Sequence, residues 1–347
     1  MLIVSLFSRR LGITEKVNMA KNAWHNFIIL ISRSFHVAMR FIEFTFDKSH
    51  FIYELVPKLS VETTNICSSK CVFCPNAIMK RPMEHLDMML FKKAIDEFVK
   101  LGGTIVSFNT TIGDPLCDPY LLERARFVRG YSQIKSLGFV TNLQLLHKYN
   151  IDDFFNSGIN WLAISITLSG KDKYREFFGI DAYEQTLNNL IMLLKTNQRY
   201  NNKIKVVIDI KPTNERIVDR INHPDFQLVN SLTKQDLVAL VERMSYYVDD
   251  WVGACKLPRY LKNRPLYPRF FCPCRLLGNT AIIFSNGKVG ACSCRDFNAD
   301  SELILGSLKE NDLSELLQSD KRYRIFSDWL KYNKVPNLCR KCSHYLY

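Results

Sequence analysis

The chain has 347 residues, 47% of them hydrophobic and 12% aromatic, which excludes a disordered chain and suffices for one large domain or a domain with a smaller companion. Its formal net charge of +13 is concentrated toward the two ends. Such an excess is compatible with nucleic acid, an anionic membrane or a phosphorylated substrate, or with nothing more than a solvated basic surface.

Leu2–Phe7 is apolar but short and meets Arg9 and Arg10 at once, so no secretory signal is expected. Residues 1–56 are expected to form a helical extension. Within it, Phe27–Phe46 carries Arg33, Arg40 and Glu43, which makes it a poor membrane span. Its Arg and aromatic residues suit either a helix packed on the domain, the preferred reading, or an amphipathic helix at a membrane surface.

From residue 57 onward, strand-like and helix-like segments alternate. Strands are expected at Lys58–Thr64, Thr104–Thr110, Leu137–Thr141, Trp161–Thr167 and Lys203–Lys211, with a sixth at Asp250–Cys255. Helices are expected at Asp87–Leu101, Tyr120–Arg129, Ile151–Ser157, Tyr183–Thr196 and Lys234–Tyr247. The clearest is Tyr183–Thr196, where Leu187, Leu190, Ile191 and Leu194 form one stripe. This alternation predicts parallel pairing in an α/β fold. Six units are too few for a closed eight-unit barrel. The proline-rich stretch Lys256–Phe271 reads as a linker to a short C-terminal module. The expected organisation is an extension at 1–56, a core at 57–255 and a cysteine-rich module at 256–347.

Eleven cysteines are present, and most are grouped. In a chain that is not exported, tight groups read as metal or cluster ligands rather than disulfides. Cys67, Cys71 and Cys74 have the spacing CxxxCxxC, three residues past the first strand. Loops that follow the strands form the active face of parallel α/β folds. Three thiolates on a four-iron cube leave one iron open to a small ligand. A structural zinc site would want four ligands, commonly in CxxC pairs, and fits poorly.

This motif resembles the radical S-adenosylmethionine (SAM) superfamily, with Phe73 as the aromatic residue before the last cysteine. The resemblance implies a partial (β/α)6 TIM-like barrel, a catalytic [4Fe-4S] cluster on Cys67, Cys71 and Cys74, and SAM bound to the open iron. It further implies cleavage of SAM to a 5′-deoxyadenosyl radical that abstracts a substrate hydrogen. Gly113-Asp114-Pro115 partly matches the family's motif for the SAM amino group, with Asp in place of the usual Glu. Asn142 and Ser165 fall where relatives contact SAM; either is also an ordinary strand-end residue. On the fifth strand, Lys205, Asp209 and Lys211 share one face and Val206, Ile208 and Ile210 the other. Asp209 and Lys211 are candidates for substrate contact or proton transfer, with a mutual salt bridge as the alternative.

The C-terminal module resembles a SPASM domain in its shortened, twitch form: a small Cys-rich β-hairpin and helix unit. Cys274, Cys292, Cys339 and Cys342 would hold a second, auxiliary [4Fe-4S] cluster. Cys272 and Cys294 are close enough to replace the first two. A hairpin is expected over Thr280–Phe284 and Lys288–Ala291, turning at Asn286-Gly287. Four cysteines ending in CxxC could also close on zinc. By resemblance, the first expectation is oxidation or rearrangement of a sugar-like, cyclitol or glycoconjugate substrate. An electron donor such as flavodoxin or ferredoxin is implied, in the cytoplasm, with peripheral membrane contact as an added expectation and nucleic acid not expected. Peptide or protein modification is the second expectation. A zinc-binding interaction protein is the third.

Overall fold

The computed structural model describes residues 56–109, 111–233, 247–263, 266, 273–293 and 295–344. Residues 1–55, all but the last residue of the helix expected at Lys234–Tyr247, Cys272 and Cys294 lie outside the described residues. The chain runs β1 (Lys58–Val61), α1 (Met88–Lys100), β2 (Ile105–Ser107), α2 (Leu121–Arg129), β3 (Ser136–Thr141), α3 (Ile151–Asn156), β4 (Trp161–Ile166), α4 (Gly170–Phe178), α5 (Tyr183–Arg199) and β5 (Lys205–Ile210). Two short helices follow, α6 (Ile217–Ile221) and α7 (Pro224–Leu232), then β6 (Tyr247–Val248) and β7 (Lys262–Asn263). The C-terminal part holds α8 (Arg275–Asn279), β8 (Thr280–Ile283), β9 (Lys288–Gly290), β10 (Ile304–Ser307), α9 (Leu313–Leu317), α10 (Asp320–Tyr332) and α11 (Asn337–Arg340).

The periodicities explain the elements. Asp87 caps α1 by accepting from the Met89 and Leu90 amides, and Phe91, Ala94, Ile95 and Phe98 form its buried stripe. Alternate residues of the strands, among them Leu59, Val106, Leu137, Leu162, Ile164, Ile208 and Ile210, are buried in one core. Strands β1 to β5 pair in parallel with their sequence neighbours. The sheet is α/β and matches a partial barrel.

The sixth parallel strand is not where the sequence suggested. Asp250–Cys255 is a turn, with Trp251, Val252 and Gly253 all at positive φ (55, 64 and 87°). The cause is side-chain capture: Asp249 accepts from the Trp251 amide at 2.7 Å and Asp250 from the Gly253 amide at 3.1 Å. The adjacent β6 pairs only with β7, in a separate two-stranded sheet. The sixth parallel position is taken by β8, which lies beside β1 with Lys58 opposite Thr280 and Val61 opposite Ile283. β9 and β10 then extend the sheet antiparallel. The expected hairpin turn is present, and Gly287 takes the φ of 83° that the turn demands. The C-terminal module therefore continues the core sheet.

A buried ion pair locks this junction. Glu62 follows β1 directly, and its carboxylate meets Arg81 at 2.6 and 3.1 Å, with side chains 0% and 5% exposed. Glu62 also accepts from the amide and hydroxyl of Ser285 (3.2 and 3.0 Å), and from the Thr111 and Ile112 amides (3.2 and 3.4 Å). Arg81 Nε donates to the Phe297 carbonyl at 2.9 Å. Removing one partner strands a buried charge, which costs about 3–5 kcal/mol. Arg81→Met should lower stability to urea by that amount. Lys92→Ala, which breaks the exposed pair with Glu123, should change it by less than about 1 kcal/mol. Equal losses in the two variants would contradict the assignment.

Candidate functional site

The loop carrying Cys67, Cys71 and Cys74 leaves the C-terminal end of β1 and is framed on three sides. Asn65 holds its start, donating to the Pro82 carbonyl at 2.7 Å and accepting from the Glu84 amide at 2.7 Å. The Ile66 carbonyl accepts from the Asp114 amide at 2.8 Å. The Lys70 and Val72 amides donate to the Phe178 and Phe177 carbonyls at 2.9 and 3.1 Å, so the end of α4 supports the loop's far side. Helix α4 was not expected from the sequence. Its run of charged residues hides a stripe of three buried aromatics, Tyr174, Phe177 and Phe178.

The loop after β2 packs against this frame. Gly113 has φ 110°, and a Cβ there would sit 2.7 Å from the Thr64 carbonyl oxygen, so the close approach requires glycine. The buried Asp114 carboxylate accepts from the Leu116 amide (2.9 Å), Thr141 Oγ1 (2.9 Å) and the Asn142 amide (2.7 Å). Burial raises its pKa, against these donors. Asp114 thereby fastens the end of β3 to the cysteine loop. Asn142 Nδ2 lies 3.7 Å from Cys67 Sγ and 3.0 Å from Ser69 Oγ.

The face that carries Ser165 and Asp209 meets the same end of the sheet. Ser165 stands opposite Asp209 in the β4–β5 register. Lys211 Nζ pairs with the Asp209 carboxylate and lies 5.8 Å from the Phe73 ring centroid, while Phe73 packs on Phe177 at 4.8 Å between centroids. The Lys211 side chain is 19% exposed and that of Asp209 44%.

In the C-terminal module, Cys274 Sγ is 3.9 Å from the His344 carbonyl, and Cys342 Sγ accepts from the His344 amide at 3.4 Å. Cys339 lies on α11 and shares a turn with Cys342, whose amide donates to the Cys339 carbonyl at 3.3 Å. Cys292 directly follows β9. The neighbouring His344 side chain meets Arg295 and Asp249, and Arg295 stacks over Trp251 at 4.4 Å. Cys117 and Cys255 stand alone in sequence but not in space. Ser68 donates to Cys117, whose thiol is pushed up to about 11 by burial and Asp114. Burial, followed by Cys74, pushes Cys255 up to about 12.

The site suits a polar ligand of the kind the motif implies. Among the described residues, Thr63 Oγ1, Ser107 Oγ, Thr111 Oγ1, Gln144 Oε1 and Thr167 Oγ1 are buried without a hydrogen-bond partner in the protein. All five sit at or just beyond the C-terminal ends of β1 to β4. Buried polar atoms normally find partners, so this ring fits a bound polar group. The cavity lined by Ser136, Asn160, Trp161, Lys205 and Val207, about 430 Å³, opens at the opposite ends of β3, β4 and β5. Among the described residues, no group of three or more His, Cys, Asp or Glu side chains closes around a single metal ion. No helix among them is long and apolar enough to cross a membrane.

Burial disfavours ionisation of all three loop thiols. Cys67 is raised by burial and then by Asp114. Cys71 is pushed up to about 12 by burial and Cys74, against a hydrogen bond from Ser69 and the charge of Lys211. Burial raises Cys74 against the Asn76 amide and Arg295. Cluster ligation by these residues would require thiolates, so assembly would release their protons and be favoured as pH rises. Occupancy at fixed iron and sulfide should keep climbing above about pH 10, where thiols with an ordinary pKa of about 8.5 are almost fully ionised. Anaerobic reconstitution monitored by iron content reads this, and a plateau below that pH would count against raised thiols.

Residues 61–222 match the model of the radical SAM superfamily, and residues 272–343 match an iron–sulfur cluster-binding domain, SPASM. No curated protein matches by sequence. Among solved structures, BtrN in complex with AdoMet and 2-DOIA superposes with a TM-score of 0.54 at 17% identity, covering 85% of this chain and 98% of that one. SuiB of Streptococcus suis bound to precursor peptide SuiA gives 0.56 at 15% identity, covering 80% of this chain and 67% of that one. AnSMEcpe with bound AdoMet and Kp18Cys peptide gives 0.51 at 13% identity, covering 83% and 88%. At these identities the likeness is one of fold.

Proposed function

Because the chain belongs to the radical SAM superfamily and ends in an iron–sulfur cluster-binding SPASM domain, we propose that it is an oxidising radical SAM enzyme for a sugar-like, cyclitol or glycoconjugate substrate. In this reading, Cys67, Cys71 and Cys74 hold three irons of the catalytic [4Fe-4S] cluster and leave the fourth iron to SAM. Cys274, Cys292, Cys339 and Cys342 hold the auxiliary cluster. When bound, the reduced cluster and SAM supply a radical able to take a hydrogen atom from a substrate carbon.

The chain's own residues do the remaining work. Phe73, fixed on Phe177, walls the loop next to the cysteines. Ser165 and Asp209 present polar atoms from adjacent strands on one face. Asp209 is exposed enough to accept a proton from a substrate hydroxyl, and Lys211 holds its carboxylate in place. The ring of unpartnered polar atoms at the strand ends would hold SAM and substrate. A flavodoxin or ferredoxin would supply the electron, in the cytoplasm.

The observation that carries the proposal is the framed three-thiol loop at the C-terminal edge of a parallel sheet, beside buried polar atoms that lack partners. The small-substrate reading is supported by the likeness in fold to BtrN, crystallised with AdoMet and 2-DOIA. Peptide modification remains the second reading, since SuiB and anSMEcpe were both seen with peptides and share the fold.

Anaerobically purified protein should contain iron and sulfide near eight each, for two four-iron cubes. With SAM and dithionite it should release 5′-deoxyadenosine. Cys71→Ala should abolish that release, and a variant as active as wild type would overturn the catalytic assignment. Stoichiometric zinc in place of iron would overturn the enzyme reading altogether.

A further inference from the structure

The turn after β3 pins one side chain from several directions. Asn142 is 7% exposed. Its amide donates to Asp114 Oδ2 at 2.7 Å, and its Oδ1 accepts from the Gln144 amide at 3.0 Å. A backbone N–H can bond only to the oxygen of a carboxamide, so Gln144 fixes which way the Asn142 group is turned. Leu143 lies between them, fully buried at φ 63°, a left-handed conformation that strains a non-glycine residue. Thr141 Oγ1 keeps it there by accepting from the Leu143 amide at 2.9 Å, and Asn189 Nδ2 by donating to the Leu143 and Gln144 carbonyls at 2.9 and 3.0 Å. Such strain persists only where the surroundings enforce it. Here its product is the direction of the Asn142 amino group.

That amino group faces the start of the cysteine loop. Asn142 Nδ2 lies 3.0 Å from Ser69 Oγ, 3.3 Å from Ser68 Oγ and 3.7 Å from Cys67 Sγ. One of its two protons goes to Ser69, whose oxygen is also held by Gln144 Nε2 at 2.6 Å. Gln144 Nε2 is in turn bonded to the Tyr174 hydroxyl at 2.7 Å, and Tyr174 to Thr186 Oγ1 at 3.1 Å, so the anchor reaches back to α4 and α5. The second Asn142 proton is shared between Ser68 and Cys67, and 3.7 Å suits a bond to sulfur because its radius exceeds that of oxygen. The Ser69 amide meets the same sulfur at 3.5 Å. Cys67 Sγ therefore has two N–H donors, one from the backbone of its own loop and one from a side chain on another strand.

We propose that Asn142 is a positioning residue that raises the reduction potential of the catalytic cluster by directing its side-chain amino group at Cys67 Sγ. This rests on the cluster assignment made above. One electron from a low-potential donor adds to the cluster with no bond made or broken, and the reduced cluster carries one more negative charge. A donor aimed at a ligand sulfur stabilises that extra charge and so raises the potential.

The test is a redox titration of the holoenzyme without SAM, followed by electron paramagnetic resonance, with dithionite as reductant. The catalytic signal is identified as the one absent from Cys71→Ala. Asn142→Leu keeps the branched shape and removes the amino group. It should retain its iron and shift this signal's midpoint to more negative potential, by a tenfold loss in the reduction equilibrium, about 59 mV for one electron. A merely structural role would lower stability or iron content and leave the midpoint in place. Full iron content with an unmoved midpoint in Asn142→Leu overturns the proposal. So does a shift that appears only once SAM is added, because Asn142 would then act on SAM rather than on Cys67. If Asn142→Leu takes up no iron, Asn142→Ala decides: a negative shift supports the proposal, and a wild-type midpoint or a second loss of iron overturns it. A wild type without any Cys71-dependent signal overturns this inference along with the cluster assignment. Unmoved midpoints in an enzyme that shows the signal overturn the inference alone.

Discussion

The Glu62 carboxylate, one residue past β1, is where the parts of this molecule are joined. It is fully buried, so it must be neutralised and every oxygen lone pair must find a donor. The donors come from three places: Arg81 beyond the cysteine loop, the Thr111–Ile112 amides after β2, and Ser285 at the end of β8. Arg81 in turn reaches the Phe297 carbonyl in the C-terminal module. A single charge therefore fixes the return of the cysteine loop, the approach of the Asp114 loop and the docking of the hairpin. The hairpin is what brings the second cysteine group onto the same sheet as the first.

Around that joint the site is built mainly from backbone. The cysteine loop is tied to its neighbours chiefly through its backbone. Its amides and carbonyls are taken by α4, by the Asp114 loop and by Glu84, and the Asn65 side chain adds bonds to Pro82 and Glu84. This leaves Cys67, Cys71 and Cys74 half-buried on a frame of backbone hydrogen bonds. Burial makes the free thiols hard to ionise, so the loop favours the protonated state until a positively charged iron centre compensates. Asp114 shows the same physics at a second place: its two oxygens accept from Leu116, Thr141 and Asn142, which makes it the anchor through which β3 is held against the cysteines.

Much of this was legible in the chain itself. Strict alternation on β5 and the i, i+3, i+4 stripes of α1 and α5 reflect burial along one element, and burial is written locally. CxxxCxxC could be read because its spacing is confined to one loop. The Asn286-Gly287 turn could be read because only residues tolerant of positive φ serve there.

What depended on partners distant in sequence could not be read this way. Asp250–Cys255 looks like a strand until Asp249 and Asp250 are seen to capture nearby amides, and the vacated sixth position is filled from some thirty residues further on, by β8. Helix α4 was hidden by its charges, and its worth to the site lies in two carbonyls with no sequence signature. The Ser69–Gln144–Tyr174–Thr186 chain joins four segments through single polar atoms, each unremarkable in sequence. The sequence alone determined the α/β class, the two cysteine groups and the hairpin, because periodicity and ligand spacing are short-range. The tertiary structure alone decided which strand completes the sheet, what holds the cysteine loop and which hydrogen bonds reach its sulfurs, because burial and directional bonding act between residues that only folding brings together.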